Sequence, residues 1–335
     1  MSLIWFVLII GVSVFVHELG HYLAARLQGV RVKAFSVGFG PILARRAFWG
    51  TEWRLSAIPL GGYADIEGLT PEEKGLGYDR LPLLGKFFVL ASGVLMNFLL
   101  ALLLLAYLFH AQGVPEATGR AVVLEVVRES PAEAAGLRPG DILVAVDGKP
   151  LLKAEEINRL KTPGEHTLTL LREGKELALR LVWKPEYTRL GVVYGPEVAY
   201  RKTGFAEAFL LSASRAFLFL PQMVKALVGG LFSSLSGKEG GVVGPVGLVA
   251  EVGKAAQEGI FRLLELTAAI NLSLALFNLL PIPALDGGRI LFLLLSRLLR
   301  LRPEQEAMAH YLGFLFLLLL ILLVTMQDLR RLFGG

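Results

Sequence analysis

The polar and apolar positions of this chain fall into long separate blocks. Residues 3–16 carry no charge and run into His17-Glu18-Leu19-Gly20-His21, where a signal peptide would show a small-residue cleavage site. A retained transmembrane helix is therefore expected over about 3–27. Runs at about 87–109 and 307–326 match the roughly 20 apolar residues that cross a bilayer core. A run at about 261–281 is less regular: Arg262 and Glu265 stand at its entrance, and Pro281 and Pro283 break its end. Loosened backbone at membrane depth must line a cavity or be buried in protein.

The segments between these runs differ in texture. In the loop 28–86, residues 30–37 and 52–58 are β-like pieces bounded by Gly and Pro, suited to short strands at the membrane face. Residues 116–186 alternate, carry charge and hold turn signals such as Asp147-Gly148, which predicts a separate soluble module. Within an amphipathic segment 187–260, residues 205–235 are apolar but interrupted by Glu207, Arg215, Pro221 and Lys225, which predicts two short interfacial helices. The expected fold class is a polytopic α-helical membrane protein with about four transmembrane helices, a membrane-associated β-region and one inserted module. Membrane parts at 1–115 and 261–335 flank it.

Composition agrees. Of 335 residues, 54% are hydrophobic and only 19% charged, which excludes disordered and nucleic-acid-binding classes. The net charge of +5 is modest and spread out, so it speaks of orientation. Nine Lys/Arg lie in 26–86 and four in 289–302, while the four residues before Trp5 have none. By the positive-inside rule those two loops are cytoplasmic, and both termini and the module lie outside. With no cysteine, any metal or catalytic site must draw on other side chains such as His, Asp and Glu.

His17-Glu18-Leu19-Gly20-His21 fits H-E-x-x-H, in which residues four apart share a helix face and both imidazoles reach one zinc ion. Glu18 lies about 100° round the helix, placed to take a proton from water at the metal. The plainer account is a helix end whose His and Glu simply meet the interface. Against it, three ionisable groups within five residues of a transmembrane helix are costly without partners. A tetrahedral zinc needs a third protein ligand. His110 and His310 fall at span ends on the wrong side or away from any break, and His166 belongs to the module. Among six aspartates Asp286 follows the third span, just past the prolines that break its end. An Asp there also serves as a helix N-cap. His17 lies about 21 Å into its helix, and Asp286 ends a span entering from the same side, so both arrive at the inner half. That match holds only if 205–235 adds no span.

Taken together, His17 to His21, the stretch Asn278-Leu-Leu-Pro-Ile-Pro-Ala-Leu-Asp286-Gly287, Pro59-Leu-Gly-Gly-Tyr63 and Gly244-Pro-Val-Gly247 resemble the site-2 protease family of intramembrane zinc metalloproteases. The branch it looks most like is the bacterial regulator-of-sigma-E proteases. The stretch 130–148, with Gly140-Asp141 and Asp147-Gly148, is similar to bacterial PDZ modules, here in a single copy. The resemblance implies that His17, His21 and Asp286 bind Zn2+ and that Glu18 is the general base. It further implies that Asn278 holds substrate or supports the site and that Asn97 stands beside it, although Gly93-Val94 replaces the family's usual Gly-Pro. It implies regulated intramembrane proteolysis in the inner membrane, with single-pass transmembrane proteins such as anti-sigma factors or remnant signal peptides as substrates. The PDZ-like module would then take a peptide or protein ligand or act as a size filter. A non-enzymatic membrane-anchored PDZ scaffold is the alternative, and it makes Glu18 dispensable.

Overall fold

A computed structural model describes residues 1–70, 73, 75–236, 242–298 and 303–333. Arg300 and Arg302, two of the four basic residues counted in 289–302, lie outside the described residues. The chain divides into two units, Met1–Leu108 with Phe205–Gly335, and Phe109–Gly204.

In the first unit, α1 (Ser2–Leu27) contains no helix breaker, and it stops where Gly29 takes φ +76°. Val30 and Gly29 donate back to the carbonyls of Ala25 and Arg26, a Schellman ending that only the left-handed residue permits. Next come β1 (Val32–Phe48) and β2 (Thr51–Ile66), each used twice. Residues 32–37 pair antiparallel with 62–66, and on their other side run parallel to Glu52–Leu55. Residues 44–48 close the far side against 51–55, so two strands make a sheet four stretches wide. Phe35 is fully buried and meets the rings of Phe15, Tyr22 and Trp53, which fastens this sheet to α1.

After a 3-10 turn (Gly77–Arg80), α2 (Leu83–Gln112) runs antiparallel to α1. His21 bonds Val89 and His17 approaches Asn97, while a side chain at Gly20 would overlap the Ser92 carbonyl. Glycine at position 20 lets the two backbones touch.

The second unit is built on a sheet of order β7-β6-β4-β3-β8. Its elements are β3 (Val114–Val126), α3 (Pro131–Ala134), β4 (Ile142–Val146), β5 (Lys149–Pro150, beside β4), β6 (Gly164–Arg172), β7 (Lys175–Trp183) and β8 (Val192–Arg201). A 3-10 segment (Ala154–Lys161) adds Ile157 and Leu160 to a core with Leu143, Leu168, Leu170 and Leu181. The sheet thus extends past residue 186, because β3 needs β8 to cover its other edge. Asp147-Gly148 forms the tight turn its sequence predicts, both residues at positive φ.

Back in the first unit, residues 205–235 depart from expectation. They form one helix, α4 (Phe205–Leu235), instead of two short ones. Pro221 removes a single backbone donor from the middle of a strongly apolar helix, and Glu207 sits in the first turn where the helix dipole favours a carboxylate. Among the described residues five helices, not four, are therefore long and apolar enough to cross a membrane. The short α5 (Pro245–Glu258) then carries the chain to the beginning of α1, where Gly253 abuts Ser2, and Gly259 turns it into α6 (Ile260–Asn278). The end of α4 and the start of α5 already lie beside the last turns of the final helix, where Gln327 donates to the Ser234 carbonyl and Asp328 accepts from the Gly244 and Gly247 amides, so an added long helix does not by itself reverse α6. Leu263 shares a core cluster with Phe6 and Ile9, and Asn271 donates to Ser13 at 2.9 Å, so α6 runs parallel to α1. The prolines end it, and residues 279–285 lead to α7 (Asp286–Leu298) and finally α8 (Pro303–Phe333).

Asp141 is 1% exposed and accepts from Arg172 Nε and the Arg138 amide. Burial pushes its carboxyl up, but the Arg172 guanidinium and these hydrogen bonds prevail and hold it below the usual carboxylate range. Its contribution is therefore present above that range and lost as pH falls through the lowered value. We expect Asp141→Ala, which leaves Arg172 without its partner, to destabilise the second unit by about 3 kcal/mol. Faster hydrogen exchange across β4 and β6 in the full-length protein would register it; unchanged protection would show the pair to be dispensable.

Candidate metal centre

The spacing of His17 and His21 places both rings on one face of α1, and the break after α6 brings Asp286 to them. His17 Nε2 and His21 Nε2 lie 3.3 Å apart, and Asp286 Oδ2 lies 3.2 and 3.3 Å from them. These side chains are only 11–13% exposed. Ligands about 2.0–2.1 Å from a tetrahedral zinc stand about 3.3 Å from one another, so the triangle has the edge length such an ion requires.

Its hydrogen bonding points the same way. His21 Nδ1 donates to the Val89 carbonyl at 2.8 Å, which leaves Nε2 as a lone-pair donor. His17 Nδ1 lies 3.5 Å from the Asn97 amide, whose Oδ1 is buried without a partner. Turned by half a rotation, that amide would present Oδ1 to His17 Nδ1–H and fix the same tautomer. Asp286 Oδ2 is buried and receives no conventional hydrogen bond. Three electron-pair donors thus face a common point, an arrangement that repels itself until a cation sits between them.

The surroundings are shaped to match. A Cβ on Gly93 would overlap His21 Nε2 and come within 2.8 Å of His17 Cε1, so α2 can pass beneath both rings only with glycine there. Glu18 turns toward the sheet, where its Oε2 accepts from the Ala64 amide at 3.0 Å. Because that amide bonds Glu18, residues 62–66 present a sheet edge next to the site.

Asn97 is 1% exposed and stands against His17. Asn278 ends α6, half-buried, with no side-chain hydrogen bond among the described residues. His110 bonds the Thr203 carbonyl and His166 bonds Asp147, both in the second unit. His310 contradicts its placement away from any break: it touches the proline loop itself, at Ala284, though it is not a ligand. Gly93 was legible only as part of a motif, and nothing in its own spacing announces contact with two imidazoles.

The model of "Peptidase family M50" matches residues 5–320. The chain belongs to this family. Among its relatives is a Rhizobium meliloti protein named "Putative zinc metalloprotease", 32% identical over 98% of this chain and 96% of its own length. A Fusobacterium nucleatum protein of the same name is 34% identical over 98% of both chains. The "Probable membrane metalloprotease ARASP2, chloroplastic" of Arabidopsis thaliana is 33% identical over 93% of this chain and 76% of its own. This M50 chain is thus a membrane peptidase, as its resemblance to site-2 proteases implies.

Gly93→Val is expected to push the imidazoles apart and lower metal content by roughly tenfold or more, with helical circular dichroism retained. Elemental analysis of the purified protein measures this. Wild-type metal content in the variant would mean the rings do not meet over Gly93.

Proposed function

We propose that this M50 peptidase is an intramembrane zinc endopeptidase that hydrolyses peptide bonds within the transmembrane segments of single-pass proteins. One observation carries the reading: two imidazoles and a carboxylate from elements some 265 positions apart converge at 3.2–3.3 Å inside an apolar helical unit, with Glu18 on the adjoining turn. The relatives' names supply zinc as the ion. His17, His21 and Asp286 would hold it. Bound there, zinc supplies Lewis acidity, acidifying water and polarising a carbonyl.

The chain's own groups do the rest. Glu18, steadied by the Ala64 amide, takes the proton of the attacking water and passes it to the leaving amine. A peptide bond inside a helix is shielded by side chains and its own hydrogen bonds, so the substrate must be opened first. Residues 62–66 offer an edge beside Glu18 on which an extended segment replaces lost helix bonds by strand addition. Asn97 keeps His17 in its ligating tautomer. Asn278, whose amide makes no hydrogen bond among the described residues, is assigned to substrate or to the loop that carries Asp286.

The second unit is read as one PDZ-like domain. Its short helix capped by Ser130, its Gly140-Asp141 turn and β4 follow the expected order. A cavity of about 420 Å³ beside edge strand β8, lined by Ile157, Leu190 and Tyr194, suits a peptide added as a strand. We place the protein in the inner membrane, with the site toward the cytoplasmic half, and the termini and PDZ-like domain outside. Anti-sigma factors and remnant signal peptides are the substrate classes this implies, cut in regulated intramembrane proteolysis.

Glu18→Gln is expected to retain zinc and lower cleavage of a model transmembrane substrate by about 10²–10⁴-fold. A detergent assay with zinc quantified in parallel makes the test. Undiminished cleavage would refute the assigned base, and a zinc-free wild type would favour a non-enzymatic scaffold.

A further inference from the structure

We propose that His310 on α8 is a positioning residue for Asp286, acting through the backbone of Ala284. The inference rests on the metal-centre reading above. Asp286 is aimed by a loop poor in backbone donors, since Pro281 and Pro283 have none. The other loop amides bond locally: Ile282 to Leu280, and Leu285 to Ile282. Ala284, two residues before the carboxylate, instead donates to His310 Nδ1 at 2.9 Å. It is also held at φ +82°, a left-handed conformation that alanine resists and that persists only where the surroundings impose it.

The same helix grips the loop a second time. Gly313, one turn beyond His310, lies so close to Pro283 that any side chain would overlap its carbonyl. The imidazole is itself braced: its ring rests 5.2 Å from that of Phe292 on α7, and Nε2 faces Glu306 at 3.9 Å. Accepting at Nδ1 places its hydrogen on Nε2, toward that carboxylate. His310 therefore ties the strained residue, α7 and α8 together, and Asp286 inherits its direction from that tie. Without the acceptor at Nδ1, Ala284 relaxes to negative φ and the carboxylate turns away from the two imidazoles, while the helices remain.

The test measures metal binding directly, by chelator competition for zinc and by the visible spectrum of the cobalt-substituted full-length protein. His310→Ala is expected to weaken zinc binding by about tenfold or more and to alter the cobalt spectrum. His310→Asn, whose amide oxygen replaces Nδ1, should stay within about threefold of wild type. Adding Ala284→Gly to His310→Ala should restore most of the loss, because glycine holds positive φ without an external tie. Equal affinity for His310→Ala and wild type would overturn the proposal. So would equal losses in His310→Ala and His310→Asn with no recovery from glycine, which marks mere packing. A wild type that takes up no zinc would overturn the metal reading itself, and this inference with it.

Discussion

Three electron-pair donors turned toward one point, each only 11–13% exposed, form the constraint on which the rest of this structure depends. Ionisable groups in an apolar helical unit are expensive unless each finds a partner. Here the partners are few: one backbone carbonyl for His21, one amide for His17, and none of conventional kind for Asp286 Oδ2. A shared cation would balance all three at once. The architecture can then be understood as what is required to bring a residue near the chain's start against one near its end. The Gly20 and Gly93 contacts draw α2 against α1, α5 returns the chain to the head of α1, and α6 runs alongside it until the prolines release Asp286.

Broken helix and sheet edge are complementary departures from regular structure. An α6 that continued unbroken would carry Asp286 past the histidines, and its carboxylate would follow the helical periodicity. Pro281 and Pro283 end it early, and α8 stabilises the exposed turn by accepting the Ala284 amide. Across the site the 62–66 stretch gives Glu18 an amide and keeps an edge open.

Much of this was legible from residue patterns, for identifiable reasons. Helical spacing put His17 and His21 on one face, and apolar length located α1 nearly to its ends and the central turns of α2 and α8. Asp286 was reached because it follows the third expected span, whose prolines loosen the backbone that carries it. What escaped is what depends on three-dimensional contact. Pro221 looks like a breaker in sequence, yet a helix with strong formers on both sides absorbs one lost donor, so 205–235 stays whole. The role of α5 was invisible because a fourteen-residue helix is too short to register as a span. Gly93 and His310 show the same limit at the site: a glycine is silent about what it lets approach, and a histidine about which distant amide it receives.

The most direct measurement of the central claim is X-ray absorption at the zinc edge on the purified full-length protein, beside Asp286→Asn and His21→Ala. Wild type should show nitrogen and oxygen neighbours at about 2.0–2.1 Å with scattering from two imidazoles, one fewer in His21→Ala and an altered oxygen shell in Asp286→Asn. A shell lacking imidazole scattering, or one that neither substitution changes, would mean the three side chains do not hold a common ion.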